Sequence, residues 1–302
     1  MELIRPDIRI DFVGKMKMAL IASLIMIVIS IASIIAHGGL NLGIEFVGGA
    51  VVQVRFQKET SVELIRRALG PIHLENSIIQ QLGNQEVVIR SSGAAINLKN
   101  LSKEVVDALD SAFGKGATEI RKVEVIGPKI GKDLTNKALS AIIFSWIGML
   151  IYIAWRFEFR YAVGGILALV HDTIITIGAL SLMNKEFTLT IVAALLTIIG
   201  YSINDTIVIF DRIRETSRKN IRQSLETIIN DSVSQTLSRT ILTSLTVFMV
   251  LVILFFLGGE VLHDFAFALL VGVIVGSYST VFIASPIVLV WEKIMPSKMK
   301  RK

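Results

Sequence analysis

Six apolar runs decide the class of this chain. They cover about 18–36, 138–155, 162–183, 187–210, 241–257 and 265–291. Each approaches the roughly 20 residues that a helix needs to cross a bilayer. In hydrocarbon every backbone N–H and C=O must be satisfied within the segment, so such runs fold as helices. The expected fold class is a polytopic α-helical membrane protein with six transmembrane helices and one extracytoplasmic α+β domain. Composition agrees: 53% of the 302 residues are hydrophobic, with a mean hydropathy of +0.66. The first run has no small-residue cleavage pattern and reads as an anchor rather than a signal peptide.

Lys and Arg in the short connections set the orientation. Seventeen of them fall in the N-terminal tail (Arg5, Arg9, Lys15, Lys17), the second-to-third loop (Arg156, Arg160), the fourth-to-fifth connection (Arg212 to Arg239) and the C-terminal tail (Lys293 to Lys302). The two short loops of the other side hold Lys185 alone. This places both termini in the cytoplasm. Residues 1–17 are then a cytoplasmic tail, 18–36 the first span, 37–137 an extracytoplasmic domain, 138–291 spans two to six, and 292–302 a basic tail. The formal charge of +6 is explained by this topology and does not point to nucleic acid; membrane lipids are the expected contact. The absence of cysteine excludes disulfides, thiolate metal sites and cysteine nucleophiles.

The outside segment alternates between strand and helix signals. Ala50–Phe56 is valine-rich and reads as a strand. Thr60 and Glu63 have capping-box spacing before a helix that stops at Gly70-Pro71. Ser77–Leu82 and Glu86–Arg90 flank a hairpin turn at Gly83-Asn84. Leu98, Leu101, Val105, Leu109 and Phe113 repeat at helical spacing, and Thr118–Ile126 alternates up to Gly127-Pro128. The order is βαββαβ, a ferredoxin-like arrangement. On the cytoplasmic side, Ile221, Leu225, Ile228, Ile229 and Val233 share a helical face. They predict an amphipathic surface helix at about 214–235; a solvated linker helix is the alternative.

Polar groups inside the apolar runs are the candidate site. The stretch "GYSINDTIVIFDRIRE" places Asn204 and Asp205 about five or six residues from the cytoplasmic end of the fourth span, roughly 8–9 Å deep. A carboxylate in hydrocarbon costs about 2.5–3.5 kcal/mol or more, so it must face protein or water. Gly200 and Ser202 before it allow close helix approach. "QTLSRTILTSLT" begins the fifth span and puts Thr236, Arg239, Thr240 and Thr243 on one face. Matching depth pairs Asp205 with Arg239. Such a pair serves either as a proton carrier or as a static lock between helices. His171 and Asp172 lie about 14–15 Å into the third span. They project about 100° apart and so cannot face one common partner. One of them extends a relay towards Asp205, or the two form a buried polar pair. Asn204 orients a neighbour or holds water. No H-E-x-x-H, G-x-S-x-G or Walker loop is present, and the glycines of "NLGIEFVGG" suggest a tight turn against the membrane domain rather than a phosphate cradle, so hydrolytic chemistry has no support. Work must come from an ion gradient or from a partner.

Together, "NLGIEFVGG" after the first span, "HD" in the third, and "YSINDTIVIFDRIRE" followed by "TLSRT" resemble the SecF family of protein-export subunits. The likeness extends over nearly the whole chain. The first motif is usually GIDFxGG; here Glu45 replaces the aspartate and lengthens the side chain, beside Gly43, Gly48 and Gly49. The resemblance implies half of a twelve-span unit of the resistance-nodulation-division superfamily, completed by a SecD-like subunit, beside the Sec translocon channel. It also implies preprotein substrates, use of the proton-motive force in the inner membrane of a prokaryote, and no bound cofactor. The coupling ion is then H+, with Na+ left open. The family's proton-linked aspartate and arginine fall on Asp205 and Arg239. The competing readings are a proton-coupled small-molecule or lipid transporter half of the same superfamily, and a non-conducting scaffold.

Overall fold

The computed structural model describes residues 10–75, 77–92 and 101–295. In chain order the elements are α1 (Met16–Ala36), α2 (Ile44–Val47), β1 (Gly49–Phe56), α3 (Val62–Ala68), β2 (Ile78–Leu82), β3 (Glu86–Ser92), α4 (Leu101–Phe113) and β4 (Thr118–Ile126). They continue with α5 (Pro128–Arg156), α6 (Phe159–Leu182), α7 (Leu189–Lys219), α8 (Leu225–Leu257), α9 (Gly259–Ser279) and α10 (Ser285–Ile294), with a π-helical turn Thr280–Ala284 between the last two. Two compact units result. One comprises the described parts of Met1–Asn41, Ser140–Glu186 and Thr190–Lys302; the other comprises Leu42–Leu139 and Phe187–Leu189.

The smaller unit is a four-stranded antiparallel sheet in the order β2-β3-β1-β4, the ferredoxin-like arrangement. Strand alternation explains its core. Ala50, Val52, Val54 and Phe56 point to one face of β1, and Val87 and Ile89 join them from β3. Ile65, Ala68 and Leu69 from α3 and Leu101, Val105 and Leu109 from α4 close that face. Two details differ from the sequence reading. The N-cap of α3 is Ser61, whose Oγ accepts from Leu64 N–H at 3.4 Å, and not Thr60, whose hydroxyl is enclosed without a partner. The "NLGIEFVGG" stretch contains the short helix α2, where a turn was expected. Pro128 opens α5 directly after β4, as its fixed φ and missing N–H favour.

In the helical unit, six stretches are long and apolar enough to cross a membrane. Several helices run past the expected spans. α5 begins ten residues before 138, α7 continues to Lys219, and α8 starts at Leu225. The amphipathic surface helix expected at about 214–235 is therefore not a separate element. Residues 214–219 finish α7, and 225–235 are the first turns of α8. Ser224 caps α8 by accepting from Thr227 N–H at 3.2 Å, and nothing interrupts the helix afterwards. Ile228, Ile229 and Val233 are buried while Ile221 is exposed, so the apolar face packs on the protein. The sixth run is broken by the π turn. Arg160, counted above as a loop cation, is buried between Glu158 (2.9 Å) and Glu292, over the Tyr161 ring. Leu98 and the tail residues Arg5, Arg9, Lys298, Lys300, Arg301 and Lys302 lie outside the described residues.

Small residues set the helix spacing. A Cβ at Gly178 of α6 would overlap Ser30 of α1, and one at Gly276 of α9 would lie 3.1 Å from Ser202 Cβ of α7. Close backbone approach of this kind holds helices together where lipid removes the hydrophobic drive.

Candidate functional site

The polar seam of the helical unit starts from spacing. Ser202, Asp205 and Thr206 recur at three and four residues and so share one face of α7. His171 and Asp172 face inward from α6, and Gly276, Ser279 and Thr280 come from the end of α9 and the π turn. All but Asp205 are among the buried residues or the close-approach glycines.

Asp172 is 1% exposed and fully engaged. Its Oδ2 accepts from Ser202 Oγ at 2.7 Å and from Ser279 Oγ at 2.8 Å. Its Oδ1 lies 2.9 Å from His171 Nδ1. Three contacts replace the water that a carboxylate loses on burial. The two neighbours thus meet each other, although they share no third partner. The His171 ring stacks on Tyr278 with 6.2 Å between centroids, and its Nε2 is enclosed without a partner. Tyr278 Oη donates to Ala19 O at 2.6 Å and lies 3.0 Å from Ser23 Oγ. The network therefore ties α1, α6, α7 and α9 together. Thr206 and Thr280 add a hydroxyl pair at 2.9 Å, and Ser285 Oγ donates to Thr280 O across the π turn at 3.1 Å. π turns of this kind recur at functional sites.

Asp205 is bound differently. It is partly buried. Thr240 Oγ1 donates to its Oδ1 at 2.7 Å, while its Oδ2 is enclosed with no hydrogen-bond partner. Among the described residues no hydrogen bond or ion pair joins Asp205 to Arg239. Arg239 is exposed and acts on Asp205 only through space. Asn204 is exposed as well. Beyond this pair, Tyr201 Oη donates to Ser244 Oγ at 3.2 Å, and Ser244 meets Ser277 at 2.7 Å. The five candidate residues thus fall into three places. His171 and Asp172 form one closed network, Asp205 sits with Thr240, and Arg239 and Asn204 stand exposed. No hydrogen bond among the described residues carries Asp172 to Asp205. Sequence reasoning passed over Ser279, Thr280 and Tyr278; hydroxyls clustered late in an apolar run were the available signal.

The glycine motif lies in the smaller unit. Gly43 N–H donates to Phe187 O at 2.8 Å, and Leu42 bridges Phe187. Gly48 adopts φ +78°, a conformation that disfavours any side chain. A Cβ at Gly131 would lie 2.6 Å from Phe46 O. Glu45 ends in an enclosed Oε2 without a partner.

Comparison with known proteins follows the same lines. The family model for the protein export membrane protein SecD/SecF, C-terminal, matches residues 105–294, and the SecD/SecF GG motif matches residues 33–60. The protein translocase subunit SecF of Magnetococcus marinus is 47% identical over 286 residues, covering 93% of this chain and 92% of that one. The protein of the same name from Calditerrivibrio nitroreducens is 47% identical over 292 residues, 95% of this chain and 96% of the relative. The crystal structure of SecDF, a translocon-associated membrane protein from Thermus thermophilus, superposes with a TM-score of 0.82 at 35% identity. It matches 97% of this chain, which spans 40% of that longer one.

Proposed function

From a chain that belongs to the SecD/SecF family of protein export membrane proteins, we propose a translocase subunit that uses the proton-motive force to move preproteins on the outer side of the membrane. Asp205 is the group that takes and releases the proton. One observation carries this: Oδ1 is held by Thr240 while Oδ2 is enclosed with no partner, so one oxygen is positioned and the other keeps lone pairs unused that a proton can occupy. Asp172, held at both oxygens by His171, Ser202 and Ser279, serves as the fixed joint of the bundle, against which α7 and α8 work. Arg239 biases Asp205 by its charge and approaches it in another state of the cycle.

A SecD-like subunit completes the unit beside the Sec channel, as the longer SecDF relative suggests. Both termini face the cytoplasm, and residues 37–137 lie outside. One charge crossing 100 mV releases about 2.3 kcal/mol, enough to shift a two-state population several-tenfold. Energy enters with the ion, without a hydrolytic step.

Asp205→Asn and Arg239→Met test this separately. Each variant is expected to fold and to assemble with its partner, while export loses its dependence on an imposed proton gradient. Gradient-dependent export that persists unchanged in both variants rejects the proposal and favours a scaffold. A matching response to a sodium gradient in the parent protein would assign Na+ as the coupling ion.

A further inference from the structure

Two arginines meet where α5 ends. Arg156 is the last residue of the span Lys129–Arg156, and Arg214 stands on α7. Both guanidinium groups lie over the ring of the buried Phe157, 5.1 Å and 5.9 Å from its centroid. A guanidinium carries five N–H donors. Among the described residues these two side chains donate one hydrogen bond, from Arg214 Nη1 to Arg156 O at 3.4 Å. The carboxylate in ion-pair reach of them is Asp211, 3.9 Å from Arg156 Nη2 and too far to accept a hydrogen bond. The neighbouring acids are held elsewhere: Glu158 and Glu292 bind Arg160, and Glu215 binds Arg212 and Lys219. Two like charges on one ring, with most of their donors unused, make a seat for an anion with several acceptor oxygens.

The surroundings select the anion. Trp155, next to Arg156, is 84% exposed, and an exposed ring at the end of a span sits at the boundary between headgroups and hydrocarbon. Phe144, Gly148, Ile151 and Trp155 follow at steps of four, three and four residues and share one face of α5. Phe144 and Ile151 are exposed. A Cβ at Gly148 would meet nothing within 4 Å, so the stripe has a notch in its middle. We propose that Arg156 and Arg214 bind the phosphate group of an anionic phospholipid, whose tail lies along this stripe of α5. The planar fork of arginine pairs two phosphate oxygens at once. A zwitterionic lipid carries its own ammonium beside the phosphate, so the site favours lipids of net negative charge. The inference stands on the membrane-spanning fold and is independent of the proton reading.

The chain has three tryptophans, so Trp146→Phe with Trp291→Phe leaves Trp155 as a reporter beside the site. The full chain in this background is reconstituted in phosphatidylcholine vesicles that contain a small fraction of brominated phosphatidylglycerol, whose bromine quenches an indole on contact. Brominated phosphatidylcholine serves as the comparison. Trp155 is expected to favour phosphatidylglycerol about tenfold, the equivalent of one hydrogen bond to a charged group. Arg156→Gln with Arg214→Gln should abolish the preference. Arg156→Lys with Arg214→Lys, which keeps the charge and loses the fork, should remove most of it and serves where the glutamine pair impairs folding. Arg218→Gln with Arg222→Gln takes the same charge from exposed positions further along the chain and should leave the preference unchanged. An absence of preference in the reporter chain, equal losses in the two glutamine pairs, or displacement of the lipid by excess inorganic phosphate would overturn the lipid site. Loss of the preference on adding a partner subunit would also overturn it, and would give the arginine pair to an acidic side chain of that partner.

Discussion

Two aspartates in the same bundle are held in opposite ways, and the difference assigns their work. Asp172 has both carboxylate oxygens engaged, by three contacts in all. Removing its carboxyl group would leave the Ser202 and Ser279 hydroxyls and His171 Nδ1 without their partner. Asp172→Ala is therefore expected to destabilise the bundle by about 3–5 kcal/mol, the range for breaking a buried charged network. A markedly lower thermal aggregation midpoint of the detergent-solubilised protein would show it, with Asp172→Asn milder because it keeps one acceptor. Asp205 has a single described donor, Thr240. Thr240→Val removes that donor at nearly constant volume. The midpoint should move little, because Asp205 is only partly buried. The rate of gradient-driven export should fall about tenfold, since a hydrogen bond to a charged group is worth roughly 1.5–3 kcal/mol. A large loss of stability with normal export would reverse the roles given to the two residues.

At the scale of the element, close packing between α1 and α6 gives a direct measurement. Ser33 Oγ and Ser181 Oγ are 2.9 Å apart, and Gly178 lies against Ser30 nearby. In a chain without cysteine, Ser33→Cys with Ser181→Cys should form a disulfide on mild oxidation, detected as a linked peptide by mass spectrometry. Adding Gly178→Val should lower the yield roughly tenfold or more by forcing the helices apart, as overpacking does. An undiminished yield would mean that α1 does not rest on α6 at Gly178. The helices themselves were legible from sequence because apolar length is a strong signal, and the strands because valine alternation at Ala50–Phe56 is unambiguous. Helix ends were not. The composition of 214–235 reads as a surface helix, but Ser224 caps a helix that the apolar residues beyond 235 continue, and an end depends on that tertiary continuation. The Asp205–Thr240 contact was half legible: Thr240 stood on the right face, but the charge of Arg239 drew the pairing to itself. Ser279 and Thr280 left one signal, hydroxyls clustered late in an apolar run, but their pairing was not legible, because the π turn that begins at Thr280 changes which way residues point and no periodicity announces one.

For the whole molecule, the distribution of charge makes a prediction about sidedness that needs no structure of the complex. Basic residues cluster in Arg212–Arg222 and are sparse in the short loops around Lys185 and 258–264. Moving each such charge outward against 100 mV costs about 2.3 kcal/mol, so the prediction is that the cluster stays inside and the sheet unit lies outside. Two exposed positions report on this: Asn84, in the β2–β3 turn, and Lys219, at the end of α7. Asn84→Cys should react with a membrane-impermeant maleimide added to cells whose outer barrier has been opened. Lys219→Cys should react only after the inner membrane is broken. The reverse pattern would invert the orientation. It would also place the sheet unit in the cytoplasm, so one labelling experiment constrains both the direction of the spans and the side on which the sheet unit works.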